Sequence, residues 1–122
     1  MSKKVLIADD EPNIVISLEF LMKREGHAVS VARDGPAALE AIRTAKPDLV
    51  LLDVMMPGLS GFEVCQAVRG DEALAGVKIL MLSAKGRDTD IAKGQALGAD
   101  AYMTKPFSTR ELAEKVRELL GA

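Results

Sequence analysis

The sequence predicts an α/β fold in which a five-stranded parallel sheet lies between two layers of helices. Five short apolar runs alternate with five segments of helical period, which is the pattern of repeated strand–helix units. The run at 49–53 is apolar at every position before its terminal acid, as expected for a strand that helices cover on both faces. Because connections between parallel strands are right-handed, these units predict a three-layer, doubly wound domain.

The predicted strands are the apolar runs themselves, which are rich in β-branched and aliphatic residues. The helices are predicted from apolar residues that recur every three or four positions between and after the strands. The strands cover 4–9, 28–33, 49–53, 77–83 and 100–104, and the helices cover 13–25, 36–45, 61–69, 88–97 and 108–120.

Residues at the helix ends agree with these boundaries. Pro12 suits an early position of the first helix, and Gly26 suits the position just past its end. Gly98 is expected to close the fourth helix in the same way. Ser108 is a predicted cap of the last helix, with Glu111 three residues later.

Length and composition are those of one ordinary globular domain. A chain of 122 residues buries a single core, so residues 1–122 are predicted to form one domain. The formal net charge of −2 does not favour direct binding to nucleic acid. No apolar stretch approaches the roughly 18 residues that cross a bilayer, and the N-terminal segment lacks the features of a secretion signal. The single cysteine, Cys65, excludes an internal disulfide and favours a cytoplasmic location.

Acidic residues end two of the predicted strands. Asp9 and Asp10 follow the first strand, and Asp53 ends the third. Because the carboxyl ends of parallel strands share one rim of a sheet, the three carboxylates are expected to converge. Such a cluster repels itself unless a cation neutralises it, and Mg²⁺ prefers oxygen ligands of this kind. The alternative is that the acids cap the helix that follows.

Two further strand ends carry residues that can handle phosphate. Ser83 ends the fourth strand, and Lys105 follows the fifth. A carboxylate beside Mg²⁺ and a lysine is equipped to attack phosphorus and form an aspartyl phosphate. Taken singly, the serine is expected to bond to the backbone and the lysine to lie in solvent. Their coincidence with the acids at one rim is what favours phosphoryl chemistry.

These strand ends carry four motifs, which are Asp9-Asp10, the stretch 51–58, Ser83-Ala84 and the stretch 104–107. The motifs resemble those of bacterial response-regulator receiver domains, including the chemotaxis-regulator type. The resemblance spans essentially the whole chain and implies a flavodoxin-like fold with strand order 2-1-3-4-5. It also implies that Asp53 accepts a phosphoryl group from a sensor histidine kinase or a histidine phosphotransfer protein.

The same resemblance implies a magnesium site. Asp10, Asp53 and the main-chain carbonyl of Met55 would bind Mg²⁺ directly, and Asp9 would act largely through a metal-bound water. Lys105 would pair with the phosphoryl group, and its peptide bond to Pro106 would be cis.

The resemblance further implies a switch that controls an output partner or a fused effector domain. Ser83 would be the switch hydroxyl and Tyr102 the switch aromatic, which changes the face made by the fourth helix, fifth strand and fifth helix. The chain would be a monomer or a weak phosphorylation-dependent dimer. Because usually charged positions of that face are apolar here, Ile91 and Leu97 are predicted to be exposed anchors for a different protein.

Two other classes of protein remain as alternatives to a signalling switch without turnover. A small aspartyl-phosphate phosphatase would need a second acid two residues after its nucleophile, where this chain has Met55. A nucleotide-binding or flavin-binding module would need glycine-rich phosphate loops, which the sequence lacks. Met55 and Lys85 are poorly suited to orient a hydrolytic water, so a long-lived phosphorylated state is predicted.

Overall fold

The computed structural model describes residues 3–84 and 88–121, apart from the side chains of residues 88 and 89. Strands and helices alternate throughout this part of the chain. The strands are β1 (Lys4–Ala8), β2 (Ala28–Ala32), β3 (Leu49–Asp53), β4 (Lys78–Ser83) and β5 (Ala101–Thr104). The helices are α1 (Pro12–Arg24), α2 (Gly35–Ala45), α3 (Gly61–Arg69), α4 (Asp88–Ala96) and α5 (Thr109–Leu120).

Within the described residues, the strands form one parallel sheet in the order β2-β1-β3-β4-β5. Alternate side chains of the central strands enter two separate cores, because successive residues of a strand point to opposite faces. One core joins the sheet to α2 and α3, and the other joins it to α1 and α5. The predicted three-layer fold and its strand order are therefore confirmed.

The predicted boundaries agree with the structure to within one residue at each end. Helix α1 begins at Pro12, whose missing N–H would have no partner in the first turn. Ser108 lies just outside α5, where its hydroxyl accepts a hydrogen bond from the Glu111 N–H at 3.0 Å. Gly98 has a φ of +101° just after α4, a conformation that favours glycine. A short 3₁₀ helix at Glu72–Leu74 was not predicted.

The predicted exposure of Leu97 was wrong. Leu97 is half-buried and packs against the core formed with α2 and α3. It follows the last residue of α4, and its carbonyl accepts a hydrogen bond from the buried Cys65 thiol at 3.5 Å. Ile91 is also only half-exposed. Lys85, the other predicted neighbour of the hydrolytic water, lies outside the described residues.

None of the helices in the described part of the chain combines the length and the apolar content that a bilayer crossing needs.

Candidate functional site

The three predicted acids meet at the carboxyl rim of the sheet. Strand β1 delivers Asp9 and Asp10, and the neighbouring strand β3 delivers Asp53. One carboxylate oxygen from each lies within 4.8 Å of the others. Asp9 and Asp53 are buried, with 1% and 4% of their surface exposed, whereas Asp10 faces solvent. The predicted convergence of these side chains is confirmed. Buried carboxylates this close together need a positively charged partner.

Lys105 is the cation of this cluster. Its ammonium Nζ lies 2.9 Å from Asp9 Oδ2 and 3.3 Å from Asp53 Oδ1. The backbone of Lys105 is held at this rim, because the Lys105 N–H donates to the Ser83 carbonyl at 2.6 Å. Its peptide bond to Pro106 is cis. Burial alone would lower the pKa of Lys105, but the hydrogen bond to Asp9 and the attraction of both carboxylates outweigh it and raise the pKa above its ordinary value.

Both oxygens of Asp9 are already engaged by protein donors. Asp9 Oδ1 accepts from the Glu11 N–H at 2.9 Å, and Asp9 Oδ2 accepts from Lys105. Sequence analysis missed the first of these bonds. The spacing Asp9-x-Glu11 was its available signal, since an Asp side chain often accepts from the N–H two residues later. Asp9 therefore acts as an anchor between β1, α1 and Lys105.

The carboxyl group of Asp53 has a raised pKa. Burial raises its pKa, and repulsion by Asp9 raises it further. Lys105 and a hydrogen bond from the main chain of Met55 act in the opposite direction, and the net pKa is about 6. The ionised form of Asp53 is thus held at a cost that a further cation would relieve.

The donor set fits a hard divalent cation. Three carboxylates face a single ammonium group in the described cluster, which leaves an excess of negative charge. This excess charge and the exposed carboxylate of Asp10 favour binding of a small cation through oxygen ligands. The residues present therefore suit Mg²⁺ better than a transition metal, since no histidine or cysteine contributes to the described cluster.

An open cleft of about 500 Å³ gives access to the cluster. Asp10, Asp53, Lys105 and Met55 are among the residues that line it. The side chain of Met55 is 60% exposed, so an apolar group borders the entrance. The cleft is wide enough to admit a phosphate-bearing group to the carboxylate of Asp53.

Ser83 and Tyr102 lie on the neighbouring strands β4 and β5. Ser83 is 1% exposed and is paired in register with Thr104, at the end of the sheet nearest the cleft. Tyr102 is paired with Met81, half-buried, and packed against the core with α2 and α3. It does not line the cleft. The two residues share one face of the sheet two positions apart, because side chains alternate along a strand.

Comparison with protein families identifies one match across nearly the whole chain. A family model described as the response regulator receiver domain matches residues 5–117. The matched segment includes every residue of the rim cluster and both residues of the β4–β5 pair described above.

Individual relatives agree with that match. The chain is 48% identical over 120 residues to the alkaline phosphatase synthesis transcriptional regulatory protein PhoP of Bacillus subtilis, covering 98% of this chain and 49% of that protein. The chain thus spans about half the length of this curated relative.

Solved structures give the same result. The receiver domain of Francisella response regulator 1452 superposes with a TM-score of 0.91 at 34% identity, over 98% of this chain and 97% of that one. The chemotaxis response regulator CheY4 of Vibrio cholerae superposes with a TM-score of 0.91 at 31% identity, over 98% and 99%.

Proposed function

This chain belongs to the response regulator receiver domain family of two-component systems, and we propose that it is switched by transfer of a phosphoryl group to Asp53. The observation that carries the proposal is the meeting of Asp53, two further carboxylates and Lys105 at one rim of the sheet, where an open cleft reaches Asp53. The phosphoryl donor is a phosphohistidine of a sensor kinase or of a histidine phosphotransfer protein.

The transfer is a displacement at phosphorus. A carboxylate oxygen of Asp53 attacks the phosphorus atom, the bond between phosphorus and the imidazole nitrogen breaks, and the imidazole leaves with the bonding electron pair. Only the ionised carboxylate is a nucleophile. With a pKa of about 6, Asp53 is mostly ionised at neutral pH. Its burial leaves it poorly solvated and hence reactive.

Asp10, Asp53 and the main-chain carbonyl of Met55 would hold Mg²⁺, and Asp9 would contribute through a water. A bound Mg²⁺ supplies positive charge for the clustered carboxylates and for the oxygens of the transferred group. Lys105 supplies the second positive charge and already reaches Asp53 Oδ1. The fixed backbone of Lys105 keeps its ammonium near the position of a phosphoryl group on that oxygen.

Phosphorylation supports a switch through Ser83 and Tyr102. The added group carries negative charge and strong acceptor oxygens, which favour hydrogen bonding by the Ser83 hydroxyl and by Lys105. Because Tyr102 shares a sheet face with Ser83, movement of the serine side chain frees space toward which the half-buried ring can repack. The surface of α4, β5 and α5 would then change, and an output partner or a fused effector domain would read it.

The exposed face of α1 is suited to contact the phosphodonor protein. Ile16 and Phe20 are 65% and 67% exposed, and they lie one helical turn apart on the same face. The helix begins at Pro12, which lines the cleft. A partner helix resting on this apolar pair would therefore lie close to Asp53.

Residues 1–122 form one receiver domain that acts in the cytoplasm, where the buried thiol of Cys65 stays reduced. The domain is a switch without turnover of a separate substrate, and it contacts neither nucleic acid nor membrane itself. It is a monomer or a weak phosphorylation-dependent dimer.

The direct test is phosphorylation by a small acyl phosphate with and without Mg²⁺. Intact-protein mass spectrometry should find one added phosphoryl group per chain only when the metal is present, and none in an Asp53→Asn variant. Repeated release of inorganic phosphate from the small donor at high turnover would instead identify a phosphatase. Unchanged phosphorylation of Asp53→Asn would refute the proposed acceptor.

A further inference from the structure

The loop that follows Asp53 is held in place by a different helix. This β3–α3 loop comprises residues 54–60 and carries Met55. The first residue of α2, Gly35, donates its N–H to the Pro57 carbonyl at 3.0 Å. The first N–H groups of a helix have no acceptor within the helix, so the loop supplies the partner that α2 needs and α2 in turn anchors the loop.

Contact between Gly35 and the loop is closer than any other residue would permit. A Cβ atom on Gly35 would lie 2.5 Å from the Cβ of Leu59 and 2.7 Å from its carbonyl carbon, with the Leu59 carbonyl oxygen nearer still. These neighbours are mostly backbone and cannot rotate away. The absence of a side chain at position 35 is therefore what allows α2 to rest directly on the loop.

Met55 lies between two loop positions that hydrogen bonds hold in place, Val54 and Pro57. On one side, the Val54 N–H donates to the Leu82 carbonyl at 3.0 Å, and the Val54 carbonyl accepts from the Gly61 N–H at 2.8 Å. On the other side, the Pro57 carbonyl accepts from the Gly35 N–H and, within the loop, from the Leu59 N–H at 3.1 Å. Only two residues separate positions 54 and 57. A shift of Pro57 therefore reaches the peptide group of Met55 through a single residue, Met56.

We propose that Gly35 is a positioning residue for the magnesium site, acting through the Pro57 carbonyl on the carbonyl of Met55. This inference rests on the proposed function, in which the Met55 carbonyl is a ligand. Mg²⁺ demands near-ideal octahedral geometry, whereas Ca²⁺ accepts a variable number and arrangement of oxygens. Displacement of one carbonyl therefore weakens Mg²⁺ binding more than Ca²⁺ binding.

The test is calorimetric titration of the unphosphorylated protein with Mg²⁺ and, separately, with Ca²⁺. Gly35→Ala should weaken Mg²⁺ binding by about tenfold, the scale found when an outer support of a metal ligand is lost, and should lower the ratio of Mg²⁺ to Ca²⁺ affinity. Gly76→Ala is the matched control, because a Cβ at Gly76 meets no atom within 4 Å. It should bind both ions as the parent does.

Substitution of Asp34 by alanine loosens the start of α2 without adding a side chain against the loop. Asp34 caps α2 by accepting from the Ala37 N–H at 2.7 Å. Asp34→Ala should weaken Mg²⁺ binding by a smaller factor, and Asp34→Asn, which retains the cap, should restore it. Asp71→Ala removes the same charge and another cap, that of the 3₁₀ helix, and should leave Mg²⁺ affinity unchanged.

The outcomes separate this inference from the proposed function. Absence of Mg²⁺ binding to the parent protein would overturn both. Parent-like Mg²⁺ affinity in Gly35→Ala, or an equal loss for both ions, would overturn the positioning role alone. Should Gly35→Ala fail to fold, the Asp34 variants decide: equal Mg²⁺ affinity in Asp34→Ala and the parent overturns the inference.

Discussion

The Lys105 ammonium and the Asp9 carboxylate are joined at 2.9 Å although 96 positions separate them in the chain. Lys105 is also 3.3 Å from Asp53 Oδ1. One cation therefore pairs with the acid that follows β1 and with the acid that ends β3. The pairing restrains the lysine in the cleft and lowers the repulsion that raises the pKa of Asp53. Replacing Asp53 or Lys105 by a neutral residue is therefore expected to alter the stability of the domain as well as its phosphorylation.

The charge of Asp53 should destabilise the domain in the absence of Mg²⁺. The folded-state pKa of about 6 exceeds the ordinary value of 3.8, so the folded state binds the proton more tightly than the unfolded state. Stability from this group is thus highest below the ordinary value and falls as pH rises through about 6. Asp53→Asn should be more stable than the parent at pH ~7.5, on the order of 1–2 kcal/mol.

Urea unfolding from acid to neutral pH measures this difference. The advantage of Asp53→Asn should shrink as the pH falls from about 6 toward 4, and Mg²⁺ should stabilise the parent but not the variant. Asp71→Asn is a control for loss of one negative charge, because Asp71 lies between the end of α3 and the start of β4, at the edge of the sheet opposite the rim, and Asn can retain its cap. A constant difference at every pH would contradict the assignment to Asp53.

Replacement of Lys105 by methionine should impair both the apo protein and phosphorylation. The variant leaves two buried carboxylates without their cation, and we expect a loss of about 1–3 kcal/mol in the free energy of unfolding. Phosphorylation by a small acyl phosphate should slow by at least about tenfold, the effect typical for loss of one charge that stabilises a transition state. The pKa of Asp53 should rise further, because Lys105 lowers it in the parent.

The three effects of Lys105→Met are measured by denaturation, by phosphorylation rate and by NMR titration of the Asp53 carboxyl carbon. Lys78→Met is a matched control, since Lys78 is exposed at the opposite end of β4. Phosphorylation at the parent rate in Lys105→Met would contradict the proposed role of the ammonium.

The sequence predicted the rim cluster because each of its acids can be recognised from the residues next to it in the chain. Each acid follows a recognisable strand, and parallel strands necessarily bring their carboxyl ends together. The pair between Glu25 and Arg117 had no such signal. Arg117 donates to Glu25 Oε1 at 2.7 Å and Oε2 at 2.9 Å, across 92 positions. That contact depends on how α1 and α5 pack side by side on the sheet, which residue periodicity does not specify.

The hydrogen bond from the Gly35 N–H to the Pro57 carbonyl could not be predicted for a similar reason. The sequence marks Gly35 only as a residue near a helix start, and its hydrogen bond depends on the path of a loop. The exposure of Leu97 was expected because positions of the output face that are usually charged are apolar in this chain. The structure ends α4 at Ala96, and the following turn directs Leu97 toward the core.

Activation should change the surroundings of Tyr102. It is the single tyrosine of a chain without tryptophan, so near-ultraviolet circular dichroism above the phenylalanine bands reports on this residue. Addition of beryllium fluoride and Mg²⁺, a mimic of the phosphoryl group, should alter this signal in the parent. The change should be lost or strongly reduced in Ser83→Ala, because the serine hydroxyl no longer couples the acid cluster to the ring.

Thr44→Ala is the control for this prediction. The exposed Thr44 donates its hydroxyl to the Glu40 carbonyl at 2.8 Å near the end of α2, away from the β4–β5 pair and from the β3–α3 loop. The tyrosine signal of this variant should respond as in the parent. A full response in Ser83→Ala would show that Tyr102 moves without the serine and would refute the proposed coupling.

The exposed apolar pair on α1 should affect phosphoryl transfer from protein donors but not from small-molecule donors. Replacing Ile16 and Phe20 together by serine removes the apolar surface that a partner helix would cover. Transfer from a phosphorylated histidine protein that is active on the parent should fall by about tenfold or more, as for loss of a central interface contact. Phosphorylation by a small acyl phosphate should be unchanged, and stability should change by less than about 0.5 kcal/mol because both residues are exposed. Equal losses with both donors would point to damage at the site.

The phosphorylated state should be long-lived because Met55 borders the cleft. Its exposed thioether has no strong donor or acceptor with which to orient a water for attack on the phosphoryl group. A Met55→Asn, Lys85→Glu variant introduces an amide and a carboxylate at the two positions predicted to flank that water. Loss of phosphate, followed by mass spectrometry after removal of the donor, should accelerate by about tenfold or more, the scale of general acid–base assistance.

Met55→Leu is the control, because it keeps this side chain apolar, and its phosphorylated form should decay at the parent rate. An unchanged lifetime in the double variant would mean that neither position limits hydrolysis.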